Sequence, residues 1–168
     1  TSAENIYITG IFEGTKDFDP GQNVFNLSAI DNSDIFIAKF DSLGNFIWAK
    51  GFISSDGTCV VNAVATDADN NIYAIGYFNA TVDFNPNAGV LNLTTSGLQD
   101  IFIVKLTENG GLIWAKQLGG PENDDAFDLT LDTEGNIYIT GGFQGTIDLE
   151  IGPDETNFTS FGSTDIFI

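Results

Sequence analysis

Hydrophobic residues in this chain fall into short blocks rather than long runs, and several blocks are apolar at consecutive positions. Ile35, Phe36 and Ile37 lead into Ala38, Lys39 and Phe40, and Ile6 to Phe12 follows the same pattern. A β-strand turns successive side chains to opposite faces, so a block that is apolar at every position predicts a strand covered on both sides. Phe46-Ile47-Trp48-Ala49-Lys50 predicts a further strand, and Val60 to Ala65, with its counterpart Ala126 to Leu131, opens a new unit. Helical periodicity is weak throughout. Between the blocks lie turn words of the form Asp-x-x-Gly-Asn, at residues 41–45 and 132–136, with variants at 67–71 and 107–111. A type I turn followed by a left-handed Gly or Asn closes a tight antiparallel hairpin.

These blocks repeat. Asn5-Ile6-Tyr7-Ile8-Thr9-Gly10 recurs as Asn71-Ile72-Tyr73-Ala74-Ile75-Gly76 and as Asn136-Ile137-Tyr138-Ile139-Thr140-Gly141, at offsets of 66 and 65. Asp34-Ile35-Phe36-Ile37 recurs from Asp100 and Asp165 at the same offsets, and Trp48-Ala49-Lys50 recurs from Trp114. Self-similarity at a fixed period marks a repeat architecture. The copies run over residues 1–58, 59–123 and 124–168, the first and last incomplete, within one array spanning 1–168. The second copy predicts strands near 60–66, 71–78, 100–106 and 112–118, with an additional segment of about twenty residues between the second and third. The fold class is therefore all-β: tandem four-stranded antiparallel blades of a β-propeller at a 65–66-residue repeat. Closure of a propeller takes at least about four blades, so the expectation is a partial propeller. The rest of a longer chain, or further copies, would complete it.

Taken in combination, the words at Asn136–Gly141, Gly14–Gly21, Asp34–Lys39 and Trp48–Lys50 resemble the SBBP β-propeller repeat. The resemblance covers essentially the whole chain. It implies a propeller fold and a place in a large secreted or surface protein, often of Bacteroidetes-like bacteria, with no catalytic residues to carry over. The third copy departs at Asp148-Leu149-Glu150-Ile151-Gly152-Pro153, which loosens the Asp-Phe-Asp-Pro-Gly word.

Charge narrows the partners. There are 24 acids against 5 Lys, no Arg and no His, for a formal charge of -19. Such a chain lacks the basic patch that nucleic acid or an anionic membrane surface requires. No apolar run is long enough for a membrane helix, and no signal peptide is expected within the chain. The missing His and Arg exclude His-based nucleophilic triads, His-type zinc sites and guanidinium forks. Cys59, the one cysteine, lies in an apolar strand block and is expected to be buried and inert.

The candidate site residues are acids of the loop word. Asp17 and Asp19 recur as Asp83 and Asn85, then as Asp148 and Glu150. Alternate oxygen-bearing side chains before a Pro/Gly turn are suited to Ca²⁺, and equally to a turn whose Asp accepts backbone N–H groups, which is the favoured expectation. Sequons at Asn26, Asn92 and Asn157 align across copies, and Asn79 makes a fourth. Glycosylation is one expectation for them and simple copying of the repeat is the favoured one. Four Lys are repeat-equivalent (Lys39 with Lys105, Lys50 with Lys116), which predicts structural ion pairs with acids such as Asp34 and Asp100. Tyr7, Tyr73, Tyr138, Phe36, Phe102, Trp48 and Trp114 are expected to be blade core, with equivalent positions matching. The functional expectation is a non-catalytic extracellular or cell-surface module acting as scaffold, adhesive or interaction surface toward protein or glycan. The alternatives are a Ca²⁺-assisted glycan-binding propeller and a fragment of a carbohydrate-active enzyme.

Overall fold

The computed structural model describes residues 5–30, 34–54, 57–151, 154 and 156–168; Gly152 and Pro153 of the third loop word lie outside the described residues. All regular structure among the described residues is β, and none of them forms a helix long and apolar enough to cross a membrane. The second copy is the complete blade. Its strands are β6 (Cys59–Thr66), β7 (Ile72–Phe78), β10 (Asp100–Leu106) and β11 (Leu112–Leu118), antiparallel in the order β11-β10-β7-β6. The first blade contributes β1 (Ile6–Phe12), β4 (Asp34–Phe40) and β5 (Phe46–Ser54). The third contributes β12 (Asp124–Leu131), β13 (Ile137–Phe143) and β16 (Asp165–Phe167).

Each roughly twenty-residue insert folds as a small hairpin: β2 (Thr15–Asp17) with β3 (Asn26–Ser28), β8 (Thr81–Asp83) with β9 (Asn92–Thr94), and β14 (Thr146–Asp148) with β15 (Asn157–Thr159).

The turn words behave as their chemistry requires. Asp41, Asp67 and Asp132 each accept the amide two residues on and that of the closing Asn, whose side-chain amide donates to the second carboxylate oxygen. Gly44, Asn70, Gly110 and Gly135 hold the left-handed position, with φ between 61° and 87°. Hydrogen bonds from the Asn side chain and then its amide hold the Asp41 and Asp132 carboxyls below their usual range.

The glycine that ends the Asn-Ile-Tyr word has a different use. Edge strand β6 bulges between Val61 and Ala63, and edge strand β12 bulges between Ala126 and Asp128. A Cβ on Gly76 would stand 1.8 Å from the Val60 carbonyl oxygen, and one on Gly141 would stand 2.2 Å from that of Asp125. The bulged edge strand closes onto this glycine in both blades.

Burial follows position in the array. Strands β7 and β10 of the middle blade are buried on both faces, as a doubly covered strand must be. Strand β1, with nearly the same sequence, is exposed at Ile6, Ile8 and Ile11. The expectation that equivalent aromatics match in burial fails for the same reason. Tyr73 is 3% exposed, Tyr7 is half-buried and Tyr138 is 51% exposed. Phe102 is buried and Phe36 is half-buried, while Trp48 and Trp114 are both half-buried. The residue type is set by the repeat, whereas its burial is set by whether a neighbouring blade lies against that face.

Candidate interaction surface

Two junctions join the three blades, and both are built in the same way. Each blade has a face carrying Tyr, Ile and Trp words (Tyr73, Ile75, Ile101, Ile103 and Trp114 in the second) and an opposite face carrying Ile72, Ala74, Phe102, Val104 and Leu106. At the first junction Tyr7, Ile35, Ile37 and Trp48 of blade one pack on the Ile72–Phe102 face of blade two. At the second junction the Tyr73–Ile103 face of blade two packs on Ala126, Leu129 and Phe143 of blade three. Each interior contact is thus a Tyr face against an Ile-Phe face. Two faces of these kinds have no blade over them. Blade one turns Ile6 and Ile8 outward, and blade three turns Tyr138, Ile166 and Ile168 outward, the last two 80% and 90% exposed.

The insert hairpin fastens each junction from outside. Strand β8 leaves its own blade and pairs antiparallel with the end of β5 in the preceding one, Ile53 with Asp83 and Ser54 with Val82. The bridge between Gly119 and Asp148 repeats this contact at the second junction. Val82 and Phe84 on the hairpin are fully buried, as is Ile147, the counterpart of Val82. The Phe84 ring lies between the blades, with its centroid 6.1 Å from Phe52 of blade one and 5.4 and 4.8 Å from Phe78 and Phe102 of blade two.

The loop-word residues close these hairpins. Asp17 Oδ1 accepts the amides of Asp19 and Phe25, Asp83 Oδ1 those of Asn85 and Leu91, and Asp148 Oδ1 those of Glu150 and Thr156. Asp19 accepts from the Gly21 amide and Asn85 from the Asn87 amide, whereas Glu150 is exposed. The three words lie on separate hairpins, and among the described residues no group of three or more Asp, Glu, His or Cys stands ready to hold a metal. Substituting Asp83 by Ala is expected to lower stability by about 1–3 kcal/mol, because two amides lose their acceptor. Melting in EDTA and in millimolar Ca²⁺ should give the same loss; a loss seen only in Ca²⁺ would make these acids cation ligands.

Sequons Asn26, Asn92 and Asn157 occupy the second strand of each hairpin and are exposed. Their hydroxyl residues hydrogen bond across the hairpin, Ser28 to Thr15, Thr94 to Thr81 and Thr159 to Thr146, so the repeat has a structural use for them. Asn79 is half-buried and its side-chain oxygen accepts the Thr58 amide.

The lysine pairs differ from expectation. Lys39 pairs with Glu108 of the next blade at 2.8 Å and Lys105 with Asp67 at 3.3 Å, not with Asp34 and Asp100. Those two aspartates are buried, and the lysines lie at the other end of the strands. Lys50 donates to Asn87 on the hairpin tip and Lys116 is exposed. Lys105, Asp67 and Tyr73 line a cleft of about 580 Å³ with Asp69, Asp132 and Glu134.

Nothing in the sequence marks the junction carboxyls as buried, although Asp34 and Asp100 stand out there as repeat acids. Asp34 Oδ1 accepts the Ser54 amide. At the equivalent place in blade two, the Gly120 amide donates to Asp124 Oδ2 instead. Asp100 accepts from Ser96 and Gln117 on Oδ2, and its Oδ1 is buried with no partner. Burial pushes both the Asp100 and Asp124 carboxyls up, and each of Asp100 and Asp125 raises Asp124 further. Gln99 bonds to Asp125. A carboxyl with a raised pKa binds its proton more tightly in the folded state, so this stability is present at low pH and is lost as pH rises through the raised value. Asp100→Asn keeps the acceptor that Ser96 and Gln117 use and removes a buried charge that bears on Asp124. It is expected to raise stability by about 1 kcal/mol at neutral pH and to flatten that slope, which melts between pH 4 and 8 will read. Cys59, which stands at the first junction where Asp124 stands at the second, is fully buried, and burial pushes its thiol well up.

A chain of repeated antiparallel β-blades joined face to face is a propeller-type repeat protein. Residues 113–141 match the SBBP family, described as a Beta-propeller repeat, and the words of that stretch recur along the chain at the 65–66-residue period. The matched stretch starts in β11 and ends in β13, so it spans the second junction. Among curated proteins, an uncharacterized WD repeat-containing protein of Acanthamoeba polyphaga mimivirus is 33% identical over 94 residues, covering 48% of this chain and 7% of that protein. Regulatory protein FlaEY of Caulobacter vibrioides is 23% identical over 122 residues, covering 73% of this chain and 13% of that protein. The chain therefore spans a small part of the length of the curated relatives it matches.

Proposed function

We propose that the chain is a non-catalytic scaffold module, extracellular or on the cell surface, that binds other protein through its blade faces. One observation carries this reading: Ile6 and Ile8 on one outer blade, and Tyr138, Ile166 and Ile168 on the other, are exposed on faces whose counterparts in the middle blade are buried. Exposed apolar patches of this kind mark interaction sites. A Tyr face and an Ile-Phe face are the two halves of each interior junction, so the outer faces are complementary to further blades and to one another. The similarity to a WD repeat-containing protein of the mimivirus supports the same class of role. The absence of His and Arg supports a non-catalytic one. The acidic surface suits an exposed, soluble location and a partner that is neither nucleic acid nor anionic membrane.

Sedimentation velocity of the chain over a micromolar concentration series tests the reading. Concentration-dependent association is expected, with Ile166→Asp shifting the chain to monomer. A monomer at every concentration, for both proteins, would remove it.

A further inference from the structure

The lysine that does not follow the repeat is Lys16. It stands in β2 where the second and third copies have Val82 and Ile147, and both of those are fully buried under the preceding blade. In blade one the same place is open. Among the described residues strand β2 pairs only with β3, and Phe12, Phe18 and Phe36 floor a groove of about 450 Å³ rimmed by Ile11, Glu13 and the exposed Lys16. Phe18 packs on Phe12 and Phe36 at 5.4 and 4.6 Å, as Phe84 packs on Phe78 and Phe102. The groove is a junction socket like the one that takes Phe52, Ile53 and Ser54 of β5 at the first interior junction, but with an ammonium group where that socket has an isopropyl group.

We propose that this groove receives the outer strand of another blade of the same repeat type, and that Lys16 selects a strand bearing a carboxylate at the position where β5 has Ser54. The inference rests on the blade-to-blade reading above and adds which blade is accepted. The occupant follows from continuity with the interior junctions, where the strand facing the Val82 position is the end of β5. Its charge follows from burial. An ammonium group closed into such a junction is costly unless a carboxylate meets it, whereas a like charge or an apolar strand end leaves it unpaired. Lys16 thereby acts as an address that fixes the order of blades, since specificity between similar partners is commonly set by the group that penalises the wrong one.

A fluorescent, C-terminally amidated nonapeptide with the sequence of residues 46–54 and its counterpart with Glu in place of the final Ser serve as probes, read by anisotropy on the full chain. The Glu peptide is expected to bind about tenfold tighter than the parent peptide at low salt, and Lys16→Val is expected to reverse that order. Lys16 is exposed on a short hairpin strand, so the variant should keep the circular dichroism and melting of the parent chain. Equal binding of the two peptides, a Glu preference that survives Lys16→Val, or no binding of either would overturn the proposal. A peptide adding instead to the free edge of β16 would be indifferent to Lys16. Self-association in sedimentation can persist through any of these failures, which separates them from failure of the scaffold reading.

Discussion

Phe84→Ala should lower the free energy of unfolding by about 3–5 kcal/mol, the range for removing a large aromatic from a packed core. The ring is fully buried and touches two blades at once, Phe52 on one side and Phe78 and Phe102 on the other. No single blade can close over the hole, because its walls belong to different sheets. The backbone around it is held by the Phe84 amide bonded to the Leu91 carbonyl and by the pairing of β8 with β5, so collapse of the cavity is hindered. Phe18→Ala removes the equivalent ring where only blade one surrounds it, and should cost less than half as much. Urea denaturation of both variants, with m compared to the parent chain, reads the difference. Equal losses at the two positions would mean that the hairpin packs only on its own blade.

Gly76→Ala should be nearly as damaging. Any side chain at this position meets the Val60 carbonyl oxygen at 1.8 Å, and the nearby Val61 backbone leaves no flexible group to give way. The bulge in β6 would have to unpair or β7 would have to shift, and overpacking of this sort costs about 1–3 kcal/mol or more. Gly10 holds the same place in the first Asn-Ile-Tyr word, yet its nearest neighbour is the edge of the Phe36 ring at 3.2 Å, which can move. Gly10→Ala should therefore cost under about 1 kcal/mol. Thermal melts of the two alanine variants side by side check this, and matching losses would contradict it.

Much of the fold was legible because the repeat preserves local chemistry. The four strands of the second copy fall within a residue or two of their predicted places, since turn words with a left-handed Gly or Asn fix where each hairpin closes. Burial was not legible: Tyr73 and Tyr138 sit in the same word, and only the presence of a blade against one of them separates 3% from 51% exposure. The acids of the loop word draw attention in the sequence, whereas the residue between them matters most to the junction. Phe84 stands between Asp83 and Asn85, and the acids serve to hold the hairpin that delivers it. The lysine pairs depart from expectation because the repeat alone does not say which end of a strand meets which blade. Lys39 reaches Glu108 across the junction, 69 residues away. Nothing local marks Asp100 and Asp124 as the buried carboxyls among the chain's 24 acids.

Closely similar strand words are buried only where another blade covers them, and on the proposed function the uncovered faces take further blades. Hydrogen exchange followed by mass spectrometry over a hundredfold range of protein concentration tests it most directly, since exchange reports local opening element by element. Amides of β7 and β10 should be the slowest at every concentration. Those of β1, β13 and β16 should exchange quickly in dilute solution and slow as the protein is concentrated. Protection of β1 and β16 equal to that of β7 and β10 in dilute solution, or protection independent of concentration throughout, would contradict the account.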